Sequence, residues 1–130
     1  MNLFLSESGV VKLGCFGLSA QLDCFSKKKW HCEGLQSFSY DALYDYYDEK
    51  SDVWSFGNSL LEMIGIVPYY NWHGMDITVA FNDNLPPFDK SDIASPEFLE
   101  FLDKYFAKYS KKRWSVNQLM EVNECRESDK

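Results

Sequence analysis

The side chains best equipped for chemistry are Cys15, Cys24, His31 and Cys32, all in the first third of the chain. Thiolate and imidazole are ligands that zinc takes, so a metal site is the first chemistry this set allows. Structural zinc, however, uses paired spacings of the C-x2-4-C or H-x3-5-H kind, and these four residues do not supply them. The second chemistry is nucleophilic, with Cys15 or Cys32 as thiol and His31 or His73 as base. Neither cysteine stands in a local signature for such a pair, which favours ordinary cysteines. A third candidate is the run from Tyr40 to Glu49, where tyrosines alternate with acids. Tyrosine is enriched at binding hot spots, but the plain reading is a helical turn leading into the next element.

These residues would be held by a small set of elements. Leu3-Phe4-Leu5 and Val10-Val11-Lys12-Leu13 flank Ser6-Glu7-Ser8-Gly9, which spells a β-hairpin with a glycine-bearing turn. Gly14 to Lys50 has no sustained period and reads as a long loop with one helical turn. Between Asp52 and Ile64 bulky apolar residues lie on most sides, with Ser51 or Asp52 able to cap, which predicts a buried helix. Trp54, Phe56, Leu60, Leu61 and Met63 are its expected core residues.

Ser95-Pro96-Glu97 supplies an N-cap, a proline at the first helical position and an early acid. Phe98, Phe101, Leu102, Tyr105, Phe106 and Tyr109 follow at helical spacing, predicting an amphipathic helix of about four turns. A last helix starts at Ser115, paired with Gln118 in a capping box, with Val116, Leu119 and Met120 on one face and Val122 near its edge. The tail after Glu124 is polar and is expected to fray.

Bulk properties narrow the function classes. A 130-residue chain with 45% hydrophobic and 17% aromatic residues can bury a core and lies outside the composition of disordered chains. Its net charge of −7, with no basic stripe, opposes a nucleic-acid partner. Lys27-Lys28-Lys29 and Lys111-Lys112-Arg113 are short enough to be solvated loops. No stretch approaches the roughly 20 apolar residues of a membrane span, and Met1 to Ser8 has no signal-peptide pattern. No membrane partner is therefore expected. Irregularly spaced cysteines without a secretion signal predict free thiols and a cytoplasmic protein.

Three strings go beyond periodicity. Asn2-Leu3-Phe4-Leu5, followed by Gly9-Val10-Val11-Lys12-Leu13-Gly14-Cys15-Phe16-Gly17-Leu18-Ser19-Ala20-Gln21-Leu22-Asp23, resembles the run of protein kinases from the end of the catalytic loop into the activation segment. The likeness is strongest to germinal-centre (sterile-20-like) kinases, whose version reads DFG-VSAQLD. Tyr47-Asp48-Glu49-Lys50-Ser51-Asp52-Val53-Trp54-Ser55-Phe56-Gly57 is similar to the kinase Y-D-x-K-S-D-V-W-S-x-G string at the central helix of the large lobe. Lys112-Arg113-Trp114-Ser115-Val116-Asn117-Gln118-Leu119 resembles the R-P-S-x-x-x-L pattern near the end of the domain.

The resemblance implies a mainly α fold: an incomplete kinase-like large (C-terminal) lobe over residues 1–124 carrying a small N-terminal β-hairpin, with a polar tail at 125–130. The activity it implies for the family is serine/threonine phosphotransfer with ATP and magnesium. That reaction needs a glycine-rich loop, a lysine paired to a glutamate, a catalytic aspartate and a metal-binding aspartate. No G-x-G-x-x-G, V-A-I-K or H-R-D string occurs in the chain, and Cys15 stands where the family has the aspartate of D-F-G. Magnesium prefers hard oxygen ligands, so a thiol does not replace that carboxylate. Asn2, matching the second metal ligand, is then only vestigial.

No catalytic residue and no bound cofactor are therefore expected, and the chain as it stands is read as a non-enzyme. Trp30-His31-Cys32-Glu33 resembles a degraded W-x-A-P-E string with only six residues between it and Asp23, which implies a shortened activation segment. Glu33 is then expected to form the family's buried ion pair with Arg113, as a structural remnant. Asp52 resembles the aspartate that holds the H-R-D backbone, although a helix N-cap is the simpler role. Trp54 is structural.

Two functions follow from the resemblance. One is a pseudokinase-like fragment that binds a protein partner through its exposed large-lobe surface. The other is a truncated record of a serine/threonine kinase whose upstream part supplies ATP binding and the catalytic loop. In the first, part of the apolar face from Val53 to Ile64 should lie exposed, making the chain sticky or only marginally folded alone.

Overall fold

The computed structural model describes residues 3–19, 39, 41, 47–66, 90–93 and 95–127, with Leu18 and residues 122–127 described as backbone only. Leu3–Leu5 (β1) and Val11–Leu13 (β2) form the antiparallel hairpin, in the register Leu3 opposite Leu13, Phe4 opposite Lys12 and Leu5 opposite Val11. Strand pairing begins at Val11 because Val10 belongs to the turn, where its N–H donates to Ser6 Oγ at 3.0 Å. Gly9, at φ 80°, supplies the left-handed residue the turn requires, and its N–H donates to the Ser6 carbonyl at 3.0 Å. A short 3-10 turn, Phe16–Leu18, follows the hairpin.

The long central helix, α1, is Glu49–Met63. Its cap is Asp48, not Ser51 or Asp52: the Asp48 carboxylate accepts the Lys50 N–H at 3.0 Å, and Ser51 Oγ accepts the Asp48 N–H at 3.3 Å. The apolar period starts only at Val53, so it conceals a polar first turn whose ends are tied by this box. At the other end the Gly65 N–H donates to the Glu62 carbonyl and the Ile66 N–H to that of Leu61, each at 3.0 Å. With Gly65 at φ 82° this is a Schellman closure, and it folds Ile66 back onto the core.

The second helix, α2, is Pro96–Tyr105. Ser95 Oγ caps it by accepting the Phe98 N–H at 3.2 Å, with Pro96 opening the first turn as its sequence predicts. It is shorter than the apolar spacing implies. Phe106 closes it through an N–H to the Leu102 carbonyl, and Tyr109 lies beyond it, exposed. The chain then makes the 3-10 turn Ser110–Lys112 before α3, Val116–Glu127. Ser115 and Gln118 form the expected capping box, with the Ser115 N–H donating to Gln118 Oε1 at 2.9 Å. The helix extends three residues past Glu124, through Glu127.

The core forms where α1 meets α2. Trp54, Leu61, Leu102 and Phe106 are fully buried, joined by Val53, Tyr105, Ile93 and Leu119. The Trp54 and Phe106 rings meet edge to face at 5.1 Å, and Phe101 meets Tyr105 in the same manner at 5.0 Å. Each such pair adds about 0.5–1.5 kcal/mol beyond the area it buries. Burial also pushes the Tyr105 phenol up from its ordinary value.

Gly57 lets the two helices approach. A Cβ there would stand 2.8 Å from Phe106 Cζ and 2.9 Å from Tyr105 Cβ. Ser55 and Ser59 on the same helix return their hydroxyl protons to the carbonyls of Ser51 and Ser55, keeping polar groups satisfied where the helix is half-buried.

Several residues expected in the core are not in it. Phe56 and Met63 are 44% and 66% exposed, because α1 turns only the face of Val53, Trp54, Gly57 and Leu61 inward. On α3 Leu119 alone of the expected stripe is buried, while Val116 and Met120 face out. Among the described residues, no helix is long and apolar enough to cross a membrane.

Candidate functional site

Two places carry the residues singled out by the sequence. The first is the turn after β2. Gly14 lets the Phe4 ring lie across the backbone, where a Cβ would meet Phe4 Cε2 at 2.7 Å. Cys15 follows with φ 60° and ψ 49°, and it is the only described non-glycine residue at positive φ. This left-handed region costs an ordinary residue about 1–2 kcal/mol and is visited more readily by asparagine and aspartate, whose short polar side chains bond locally. Cysteine lacks that compensation. The Cys15 thiol is exposed and not in a disulfide.

The second place surrounds Arg113, a basic residue with only 1% of its surface exposed. Its Nε donates to the Ala107 carbonyl at 3.1 Å, and its Nη1 to the Lys50 carbonyl at 2.8 Å. Nη2 donates to the carbonyls of Ala107 and Lys108 at 3.0 and 3.3 Å and faces Asp41 Oδ2 at 3.4 Å. The guanidinium also lies 5.1 Å from the centre of the Trp54 ring. Burial lowers the Arg113 pKa, opposed by the attraction first of Asp41 and then of Asp48.

The carbonyls just past the end of α2, at Ala107 and Lys108, turn to the guanidinium, which satisfies them outside any helical ladder. One side chain thereby joins the first turn of α1, the exit of α2 and the central tryptophan. A planar fork of five donors suits this work, and a lysine ammonium does not.

Asp52 lies in the first turn of α1, exposed, with its Oδ1 accepting the Tyr47 hydroxyl at 2.5 Å. It is not the helix cap. Trp54 is fully buried, as its structural role requires. Asn2, Glu33, Cys24, His31, Cys32 and His73 lie outside the described residues, and with them the expected pairing of Glu33 with Arg113. Among the described residues, the acid that pairs with Arg113 is Asp41, which the sequence reading missed. It is one of several acids ahead of α1, and local spacing does not single it out.

The helical unit with its buried arginine and small antiparallel hairpin takes its class from the family match, a protein kinase domain. The chain belongs to that family: the model described as Protein kinase domain matches residues 1–123. Its relatives are serine/threonine kinases. It is 32% identical over 123 residues to serine/threonine-protein kinase dst1 of Dictyostelium discoideum, covering 92% of this chain and 17% of that protein. It is likewise 32% identical over 123 residues to serine/threonine-protein kinase 4 homolog B of the same organism, with 92% and 11% covered. Misshapen-like kinase 1 of Rattus norvegicus is 33% identical over 130 residues, with 92% and 10% covered. These relatives agree with the sterile-20-like character of the motifs. The chain spans a quarter or less of the length of these and the other leading relatives.

Proposed function

We propose that this chain is a catalytically inactive, pseudokinase-like part of a serine/threonine kinase large lobe that works by binding another protein in the cytoplasm. Cys15 carries the reading. At the position where the family string has its metal-binding aspartate, the backbone holds a left-handed turn that suits aspartate, but the side chain is a thiol. Magnesium takes oxygen donors in near-octahedral geometry, and phosphoryl transfer depends on that ion to neutralise developing charge. One lost electrostatic contact of this kind costs about 3 kcal/mol of transition-state stabilisation.

Protein binding is supported by the apolar surface left outside. Phe56, Met63 and Ile64 on or next to α1, and Leu5, Val11 and Leu13 on the hairpin, are all about half exposed or more. Exposed apolar patches of this kind mark interaction sites. In the second reading the chain is a piece of a longer kinase whose other parts bind ATP. The small share of its relatives' length that it spans favours this, and Cys15 weakens metal binding there too.

Thermal shift with ATP, with and without magnesium, tests the inactive assignment on the chain beside its Cys15→Asp variant. No magnesium-dependent shift is expected in the unaltered chain. A clear one there would overturn the assignment.

A further inference from the structure

The basic run Lys111-Lys112-Arg113 does not survive folding as a unit. Arg113 turns inward, while Lys111 and Lys112 stay on the surface. Lysines near the exit of a helix ordinarily answer its last carbonyls. Here Arg113 already holds those of Ala107 and Lys108, which leaves that work done without the two lysines. Among the described residues, neither of them meets an acid. Just before them, Lys108 Nζ lies 5.8 Å from the centre of the exposed Tyr109 ring. Residues 104–112 hold four lysines and no acid, in a chain of net charge −7. Like charges set this close repel one another, and nothing described within the fold offsets the repulsion at Lys111 and Lys112.

The same turn is held in shape from beneath. Ser110, 3% exposed, gives its N–H to Asp41 Oδ2 at 2.8 Å. The Lys112 and Arg113 N–H groups donate to the Tyr109 carbonyl at 2.9 and 3.2 Å. In a 3-10 turn side chains three apart eclipse, which sets Tyr109 and Lys112 on one side. A backbone fixed in advance loses little freedom when a partner binds it.

We propose that the turn at 108–112 docks a short acidic segment of a partner protein, with carboxylates on Lys108, Lys111 and Lys112 and the Tyr109 ring as a flat contact beside them. This rests on the protein-binding reading above and gives that partner a chemistry, but it uses none of the apolar residues named there. Length decides among the possible anions. At physiological salt a charge is felt over about 8 Å, so a segment with a few carboxylates senses mainly the lysines of the turn. A nucleic acid or an anionic bilayer extends well past the turn and meets the field of a chain at −7.

Fluorescence anisotropy of a labelled oligoglutamate peptide against the whole chain tests the docking turn, with oligoglutamine as the uncharged control. Combining Lys111→Gln with Lys112→Gln should weaken oligoglutamate binding about tenfold or more, and rising salt should weaken it further. Combining Lys12→Gln with Lys90→Gln removes the same charge from two other exposed lysines and should change binding less than twofold. A second measurement needs no variant: oligoglutamate should slow hydrogen exchange at the Ser110, Lys112 and Arg113 amides severalfold and leave the hairpin amides as they were. The proposal is overturned by no oligoglutamate binding at low salt, by equal weakening in the two double variants, or by tighter binding of oligothymidylate or phosphatidylserine vesicles. No variant touches Phe56, Met63, Ile64 or Cys15, so failure here leaves the apolar surface and the thermal-shift test to be judged on their own.

Discussion

The hairpin and the helical unit differ in what holds them. Around α1 and α2 several stabilising devices converge on one cluster: the close approach at Gly57, the Trp54 and Phe106 rings and the Arg113 fork, with a side-chain cap at the start of each helix. The hairpin has turn and strand hydrogen bonds but almost no burial, with Leu5 at 73% exposure and Leu13 at 63%. An isolated two-stranded hairpin is marginal in water. Cys15 thus sits beside the weakly held part, while the strongly held part is architecture. Cys15 can therefore change with little effect on the core, and Trp54 cannot.

The largest test of this contrast is truncation inside the cluster. Trp54→Ala should cost about 3–5 kcal/mol by urea unfolding, whereas Leu5→Ala on the hairpin should stay within about 0.5 kcal/mol. Equal costs would mean that the hairpin is as firmly supported as the core. A finer comparison uses two glycines. Gly57→Ala should destabilise by about 1–3 kcal/mol even though alanine is the better helix former by about 1 kcal/mol, because the atoms it meets are a packed ring and a Cβ. Gly14→Ala meets only the exposed Phe4 ring, which can swing away, and should change the midpoint little.

Ser95→Ala should cost about 1 kcal/mol through loss of the α2 cap. Cys15→Gly should act in the opposite direction, gaining about 1 kcal/mol or less in hairpin protection by relieving the positive φ, with the unfolding midpoint of the core unmoved. Hydrogen exchange resolved by region separates the two.

The smallest effect is on pH. The Tyr105 phenol titrates above its ordinary value of 10.0 in the folded state, so the unfolded chain loses that proton first. Its stabilising contribution is complete below pH 10 and is lost as pH rises through the folded value. Tyr105→Phe should flatten that alkaline decline in a melting series, and an unchanged slope would exclude Tyr105 as its source.

Much of the fold was legible because local signals agreed with the tertiary outcome. Ser95-Pro96-Glu97 marks the start of α2, and Ser115 with Gln118 marks that of α3, through hydrogen bonds spanning three residues. The Leu3–Leu5 and Val11–Leu13 strands follow from β-prone runs around a glycine turn. Less legible were the cap at Asp48, hidden in a polar first turn, and the inward face of α1, where Phe56 and Trp54 look equally apolar along the chain.

By itself the sequence determined the family and the order of elements, because these rest on residue type and short spacing. Tertiary structure alone decided which acid meets Arg113, where α2 ends and which apolar side chains stay in water. Those outcomes depend on contacts between residues far apart in sequence, Asp41 with Arg113 and Gly57 with Phe106 among them, which local residue preferences do not encode.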